Sequence, residues 1–335
     1  MFLIIEDLIL NRATVIIVNF NGAKFIEKCL DSLNNQEFKA FSVIIVDNAS
    51  SDNSVELIER KYKNFKLIKL DKNFGFAIAN NIALKVVNTE YVALLNNDAV
   101  ADKIWLKKLI ETLDNNPSAA FAASKMLFFD NPKVIDRAGD AYTQAGTGSL
   151  RGRGLSYSCY NKKEWIFGAC AGSALYRKKI LDKIGLFDED FFLLYEDVDL
   201  SFRFQLKGYK CIYVPDAFVY HKSSMSIGND SWISVYYSHR NLEWTYIKNM
   251  PKNLLYRTII PHIIYDFASF LYFLIKGKGF VFLKAKIDSI KGLNKILKKR
   301  RLIQKEKRVG DDYIWSLFQK EIFFDRLIRR IRKND

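Results

Sequence analysis

The chain is poor in the residues that build covalent or metal-bound scaffolds. Among 335 residues there are 4 cysteines, 3 histidines and 5 prolines. Cys29, Cys159, Cys170 and Cys211 form no CxxC pair and no zinc-type spacing. This speaks against a disulfide framework and fits free thiols in a reducing compartment. No internal repeat and no low-complexity linker divides the chain. A glycine-rich triphosphate loop ending in lysine is also missing. The segment after the first apolar run, "NFNGAKF", has one glycine, which argues against a nucleotidyltransferase. The opening "MFLIIEDLILNR" carries Glu6 and Asp7 inside its apolar run and has no basic leader. It reads neither as a signal peptide nor as a membrane span.

Acidic residues are scarce in one region only. The chain holds 52 Lys/Arg against 37 Asp/Glu, a net charge of +15. Residues 276–335 hold 19 Lys/Arg and 7 Asp/Glu, a net of +12, while residues 1–275 hold 33 and 30, a net of +3. A general nucleic-acid binder more often spreads its basic charge over the folded domain as well.

What is present is a β-α-β-α rhythm. Residues 13–20, 41–47, 65–70 and 91–96 are runs rich in Val, Ile, Leu and Phe, without the alternation of half-exposed strands. Residues 23–35, 52–63, 76–87 and 102–115 between them predict helices, with Asp52 placed to cap the second. The pattern predicts parallel strands with right-handed crossovers, whose ligands sit beyond the strands' carboxyl ends. All the polar punctuation falls there: "NFNG" (19–22), "DNASSDNS" (47–54), "DKNFGFAIAN" (71–80) and "NNDA" (96–99). One such loop would be a turn, and four on one sheet edge point to one site. "DNASSDNS" by itself is equally readable as an Asx-rich turn. Residues 126–176 predict short strands and a glycine-rich loop. A helix should start near Glu196 and end at Gly208, and "CIYVPDAFVYH" (211–221) should form strand, turn and strand. Asp199 and Arg203 are four apart and can pair on that helix.

From about residue 231 the pattern is helical. "NLLYRTIIPHIIYDFASFLYFLI" (253–275) is apolar but includes Arg257, Pro261, His262 and Asp266. So much polar chemistry suits an interfacial helix, or a re-entrant hairpin broken at Pro261, better than a span. Leu283, Ile287, Ile290 and Leu297 then form an apolar stripe among lysines, and Trp315, Phe318, Ile322 and Phe323 form another. Basic amphipathic helices suit an anionic membrane surface. The bland alternative is a helical bundle packed on the preceding domain.

The quoted motifs, together with "FGACAGSALYRK", "GLFDEDFFLLYEDVDLSFR" and "VPDAFVYHKSS" and in this order, resemble family 2 glycosyltransferases of the GT-A fold, in particular the rhamnosyltransferase-like branch. The resemblance covers about residues 13–250. It implies an α/β fold, a mixed Rossmann-like sheet flanked by helices, over residues 1–250. Residues 251–335 then form a basic, membrane-associating helical region. It implies an inverting enzyme that moves a sugar from a nucleotide-diphosphate donor, of the dTDP-rhamnose or UDP-sugar type. The acceptor is a glycan or polyprenyl-pyrophosphate-linked glycan in cell-surface polysaccharide synthesis. The place is the cytoplasmic face of the membrane, peripherally bound, with no nucleic-acid partner. The rival from another class is a nucleic-acid-binding protein that uses the basic tail.

Residue by residue, the resemblance implies Asn19 and Asn21 beside base and ribose, and Asp47 bonded to one of them. Gly75 would lie where backbone passes close to the nucleotide, with Asn80 one helical turn beyond. "NNDA" occupies the DxD position, so Asp98 is the expected ligand of Mn2+ or Mg2+. Asn96 replaces the first acid, and an amide cannot offset charge. His221 is expected at the metal or diphosphate. Asp197 of the "ED" pair is the expected base, Glu196 touches the acceptor, and Arg240 with Asn241 lines the site. Arg151 and Arg153 stand where the family usually has an acid, and are expected to face the diphosphate or lipid. His239 is expected to be structural.

Overall fold

The computed structural model describes residues 11–223 and 230–320. The opening segment up to residue 10 and the stripe residues Ile322 and Phe323 lie outside them.

In chain order the elements are β1 (Ala13–Asn19), α1 (Ile26–Asn34), β2 (Phe41–Asp47), α2 (Ser54–Lys61), β3 (Lys66–Lys69), α3 (Gly75–Leu84), β4 (Tyr91–Leu95), β5 (Ala99–Ala101) and α4 (Trp105–Asp114). There follow β6 (Ala119–Phe128), β7 (Asn131–Ala138), β8 (Asp140–Thr143), β9 (Gly148–Leu150), β10 (Glu164–Ile166), β11 (Ser173–Arg177), α5 (Lys178–Ile184), α6 (Glu196–Leu206) and β12 (Lys210–His221). The chain then runs through α7 (Trp232–Asn249), α8 (Lys252–Ile275), α9 (Gly279–Lys291), α10 (Leu293–Lys305), α11 (Asp311–Ser316) and β13 (Phe318–Gln319).

The main sheet has the order β10-β12-β6-β11-β4-β1-β2-β3, with β5 on β12 and β7 on β6. It is mixed. β1 pairs in parallel with β2 and β4, and β2 with β3. β11 runs antiparallel to both β4 and β6. The apolar runs lack alternation because both faces are covered. Val15 and Ile17 face one core with α1 and α4, while Ile16 faces another with α3 and α5.

One expectation is corrected, and one pair of alternatives is narrowed to the unbroken helix. The segment 211–221 is one continuous strand, not two around a turn. Pro215, Asp216 and Ala217 are absorbed where the register on β6 shifts between Val214 and Phe218. Proline has no N–H for the ladder, and a bulge tolerates it. The apolar segment near 253–275 is one unbroken helix that contains Pro261. Pro261 and Arg257, whose carbonyl loses its partner, both lie on the exposed side, so no bare polar group is buried there.

The C-terminal helices pack on the rest of the chain. Trp244 of α7 donates to the Ser289 carbonyl of α9 at 3.0 Å. Arg300 of α10 donates to the carbonyls of Ile247 (2.5 Å) and Met250 (2.6 Å). β13 joins β8 in a small second sheet with β9.

Candidate active site

The polar loops at the carboxyl ends of β1 to β4 are stitched together. Asn19 is fully buried and its amide donates to Asp47 (2.8 Å) and Ser54 (2.9 Å). Its carbonyl oxygen accepts from Asn97 at 2.9 Å. Gly22 must be glycine because a Cβ there would lie 2.1 Å from Asn19 Oδ1. Asp47 accepts from Ser50 Oγ (2.6 Å) and the Ser50 N–H (3.0 Å), so the Asx-rich turn does form. Asp52 accepts from the first N–H of α2, at Ser54 (3.1 Å), and from Ala23 N–H (2.8 Å), joining the first two loops. Burial would raise its carboxyl, but the Ser54 hydroxyl, together with the Ala23 and Ser54 N–H groups, holds it below the usual range. Asn21 is exposed, has φ +52°, and its side chain accepts from Ser51 N–H at 2.8 Å. Asn and Asp are the residues that tolerate that backbone region best after glycine.

Gly75 has φ +83°, and a Cβ would meet the Phe192 carbonyl at 2.3 Å. The close approach that demands glycine is therefore made by the chain itself. Asn80 is turned into its own helix and donates to the Phe76 carbonyl at 2.9 Å.

Beyond β4, Asp98 and His221 meet. Asp98 Oδ1 is 3.1 Å from His221 Nε2, and Asn96 Nδ2 is 3.3 Å from the same nitrogen. His221 Nδ1 faces Asp136 Oδ2 of β7 at 2.8 Å, and Arg153 pairs with the other Asp136 oxygen at 2.7 Å. Burial lowers the His221 pKa, but the two acids outweigh it and push it up to about 9. The donor set fits a divalent cation. An acid fixes Nδ1 and leaves Nε2 beside a carboxylate oxygen, the arrangement in which a histidine ligand is oriented by its outer partner. A neutral imidazole and a carboxylate suit Mn2+ or Mg2+ once the shared proton leaves.

The turn at 170–172 connects this cluster to the acidic pair. Gly172 O accepts from Asn96 N–H at 3.0 Å. Ala171 N–H donates to Asp197 Oδ2 at 3.2 Å. Arg137, half-buried, lies 3.1 Å from Asp140 and 3.8 Å from Asp197. Glu196 is buried, and its Oε2 has no hydrogen-bond partner among the described residues. Burial and the adjacent Asp197 push its carboxyl well above the usual range. Burial also pushes Asp140 up to about 7, against the pull of Arg137.

A model of the glycosyl transferase family 2 domain matches residues 14–185 of the chain. The chain belongs to glycosyl transferase family 2. It is 31% identical over 134 residues to the teichoic acid poly(glycerol phosphate) polymerase of Staphylococcus epidermidis, a match covering 37% of this chain and 19% of that protein. The chain thus spans well under two thirds of that relative. It is 24% identical over 249 residues to N-acetylglucosaminyl-diphospho-decaprenol L-rhamnosyltransferase of Mycobacterium tuberculosis, covering 64% of this chain and 78% of that one. The fold matches a mannosyltransferase from Pyrobaculum calidifontis, solved with GDP-Man and Mn2+. That match has TM-score 0.55 and 17% identity, and covers 92% of this chain and 86% of that chain.

In this family 2 chain, the loop 185–195 leads into the acidic pair under strain. Leu194 (φ +65°) and Tyr195 (φ +72°) both occupy the left-handed region. Asn241 of α7 holds them by donating to the carbonyls of Leu193 (2.9 Å) and Leu194 (2.8 Å). Arg240 donates to the Asp190 carbonyl at 3.0 Å and packs over Trp244. Both residues thus shape the approach to Glu196. Asp199 is wholly buried, and bonds Arg203 (3.0 Å), Asn249 (2.7 Å) and Lys248 (2.7 Å). The i,i+4 spacing had pointed to the Arg203 bond. His239 is buried against Phe273 and Phe282. Arg151 corrects an expectation. It is buried, donates to the Ala138 carbonyl (2.8 Å), pairs with Glu164 (2.5 Å) and stacks on Tyr160, so it faces neither diphosphate nor lipid. Arg153 is turned to Asp136.

Sequence reasoning missed Asp136, Arg137 and Asp140. Their signal was "VIDRAGD", which sets three charges among apolar and small residues in a strand region.

Proposed function

We propose that the chain is a metal-assisted, inverting glycosyltransferase. It moves a sugar from a nucleotide-diphosphate donor, of the dTDP-rhamnose or UDP-sugar type, to a glycan or polyprenyl-pyrophosphate-linked acceptor in cell-surface polysaccharide synthesis. It works peripherally at the cytoplasmic face of a membrane, with residues 1–250 catalytic and 251–335 the membrane-associating part. The observation that carries this reading is the junction of Asp98 and His221 with Asp197 through the 170–172 turn. The named acceptor of the mycobacterial relative and the GDP-Man and Mn2+ of the archaeal neighbour support it.

Asp98 and His221, with Asn96 beside them, would hold Mn2+ or Mg2+. The ion would offset the charge of the departing diphosphate. Asn21 and Ser50 line the nucleotide end, while Asn19, Asp47 and Asn80 act as its frame. Gly75 lets the Phe192 loop close against α3. Asp197, held by the Ala171 N–H and near Arg137, takes the proton of the attacking acceptor hydroxyl. Glu196, its carboxyl raised by burial and by the adjacent Asp197, touches the acceptor beside the base. With one base and no second carboxylate placed as nucleophile, direct displacement inverts the anomeric centre. Arg240 keeps the 190–195 approach in place.

The test is a panel of nucleotide sugars with purified protein, Mn2+ or Mg2+, and a chelator control, read by mass spectrometry. Consumption of a donor that stops with chelator is expected. Neither binding nor consumption across the panel would sink the reading.

A further inference from the structure

The second helix after the acidic pair, α8, presents a bare apolar stripe. Ile260 (68% exposed), Ile263, Ile264 and Phe267 recur at helical spacing on its outer side. Phe280 (77% exposed) and Ile290 continue the surface on α9, which packs against α8 through Phe273, Val281 and Phe282. From Thr258 to Ile275 Asp266 is the only Asp, Glu, Lys or Arg. Asp266 is turned inward to Lys286 at 2.5 Å. An apolar face of this extent on a soluble domain marks an interaction surface.

At its edge lies a pocket of about 490 Å³ between α8 and α10, lined by Lys252, Leu255, Tyr256, Arg300, Arg301 and Gln304. No acid lines it. Arg300 and Gln304 are held in place by the carbonyls of Met250 (2.6 Å) and Asn249 (2.8 Å). Lys252 and Arg301 are exposed at the pocket, and Tyr256 belongs to both pocket and apolar stripe.

We propose that the outer faces of α8 and α9 form an in-plane docking surface for an anionic lipid bilayer, and that the pocket between α8 and α10 receives a lipid phosphate. The inference deepens, and rests on, the peripheral placement proposed above. Charge selects the occupant. Residues 252–305 carry 13 Lys/Arg against 2 Asp, a net of +11. A second copy on the same face would oppose like charges, whereas an anionic bilayer complements them. The polar contacts fix the orientation. With 24 residues, α8 is about 36 Å long and would suffice to span. Its inner side, however, is pinned. His262 donates to the Ala145 carbonyl (2.8 Å) and faces Glu243 (3.2 Å), and Lys286 bonds both Glu243 and Asp266. Threading α8 through hydrocarbon would strip these groups of their partners. The helix lies along the surface instead, with its apolar side sunk among the acyl chains.

The experiment is vesicle flotation of the full chain, with phosphatidylcholine alone or mixed with phosphatidylglycerol. Wild type should prefer the anionic vesicles. Ile260→Glu/Ile264→Glu should abolish binding to both. Lys252→Ala/Arg301→Ala should cut the preference for anionic vesicles by about thirtyfold and spare the weak neutral binding. Nucleotide-sugar binding in vesicle-free buffer, and the melting temperature, should match wild type in both variants. Those readouts report separately on the glycosyltransferase reading and on folding. Unchanged flotation of Ile260→Glu/Ile264→Glu overturns the surface. If that variant instead turns a dimer into a monomer, the face is a contact between copies. An unchanged anionic preference in Lys252→Ala/Arg301→Ala overturns the pocket.

Discussion

Asp136 Oδ2 lies 2.8 Å from one ring nitrogen of His221, and Asp98 Oδ1 lies 3.1 Å from the other. The ring is held between two acids, one buried in the sheet and one at its edge. Asp136→Asn keeps the size but weakens that hold. Mn2+ affinity should fall about 10- to 100-fold, as measured by the spin-resonance signal of free Mn2+. An unchanged affinity would remove Asp136 from the metal-holding set.

Asp197→Asn tests the base. The amide keeps the bond from Ala171 but cannot take a proton. Donor binding should persist by calorimetry while turnover drops about 10²- to 10⁴-fold. Normal turnover would move the base to another residue.

Gly75→Ala introduces a Cβ 2.3 Å from the Phe192 carbonyl at a φ of +83°. The substitution should destabilise the fold by more than about 1 kcal/mol, visible as a lower urea midpoint. A wild-type midpoint would mean that the Phe192 loop yields freely.

Two carboxylates separate buried from exposed pairing. Asp199 is wholly buried and shared by Arg203, Lys248 and Asn249. Asp199→Ala leaves the buried Arg203 without its carboxylate and Lys248 with Asp188 alone, and should cost about 3–5 kcal/mol. Glu59→Ala breaks only a half-exposed pair with Lys69 and should cost less than about 1 kcal/mol. Equal melting temperatures for the two variants would contradict this.

His262 should make stability depend on pH. Both its ring nitrogens face acceptors, Ala145 O and Glu243, with Asp266, Lys286 and the Tyr246 ring around it. Burial lowers its pKa, but Glu243 more than reverses this, and the folded value is raised. Glu243 itself is held at about 2, burial being outweighed by His262 and Lys286, so it stays ionised across the neutral range. A raised histidine contributes in full below its unfolded value of about 6.5 and loses that contribution as pH rises through its folded value. The stability gap between wild type and His262→Gln should therefore be largest near pH 5.5 and shrink toward pH 9. A gap that grows with pH would reverse the assignment.

Much of the fold was legible. The non-alternating runs at 13–20, 41–47 and 91–96 became buried parallel strands, because covering both faces of a strand leaves no polar positions to alternate, while 65–70 became the part-exposed edge strand β3. The loops meet at one edge because parallel strands put every carboxyl end on the same side. The pairing of Asp199 with Arg203 followed from helical spacing alone.

Other features rest on contacts that local pattern cannot carry. Asp136 reaches His221 across 85 residues of chain. Gly75 is required by Phe192, which arrives from a distant loop. Pro261 left a break open as one alternative, but it lies on the exposed side of α8, where the helix runs on without burying a bare carbonyl, and Pro215 became a bulge because a neighbouring strand was there to absorb it. The sequence by itself determined which elements form and that their polar ends converge, since periodicity and residue type act over a few neighbours. The tertiary structure alone decided which acid orients His221, which glycine faces which carbonyl, and which side of α8 stays bare. Those depend on burial and pairing between segments that meet only once the chain has folded.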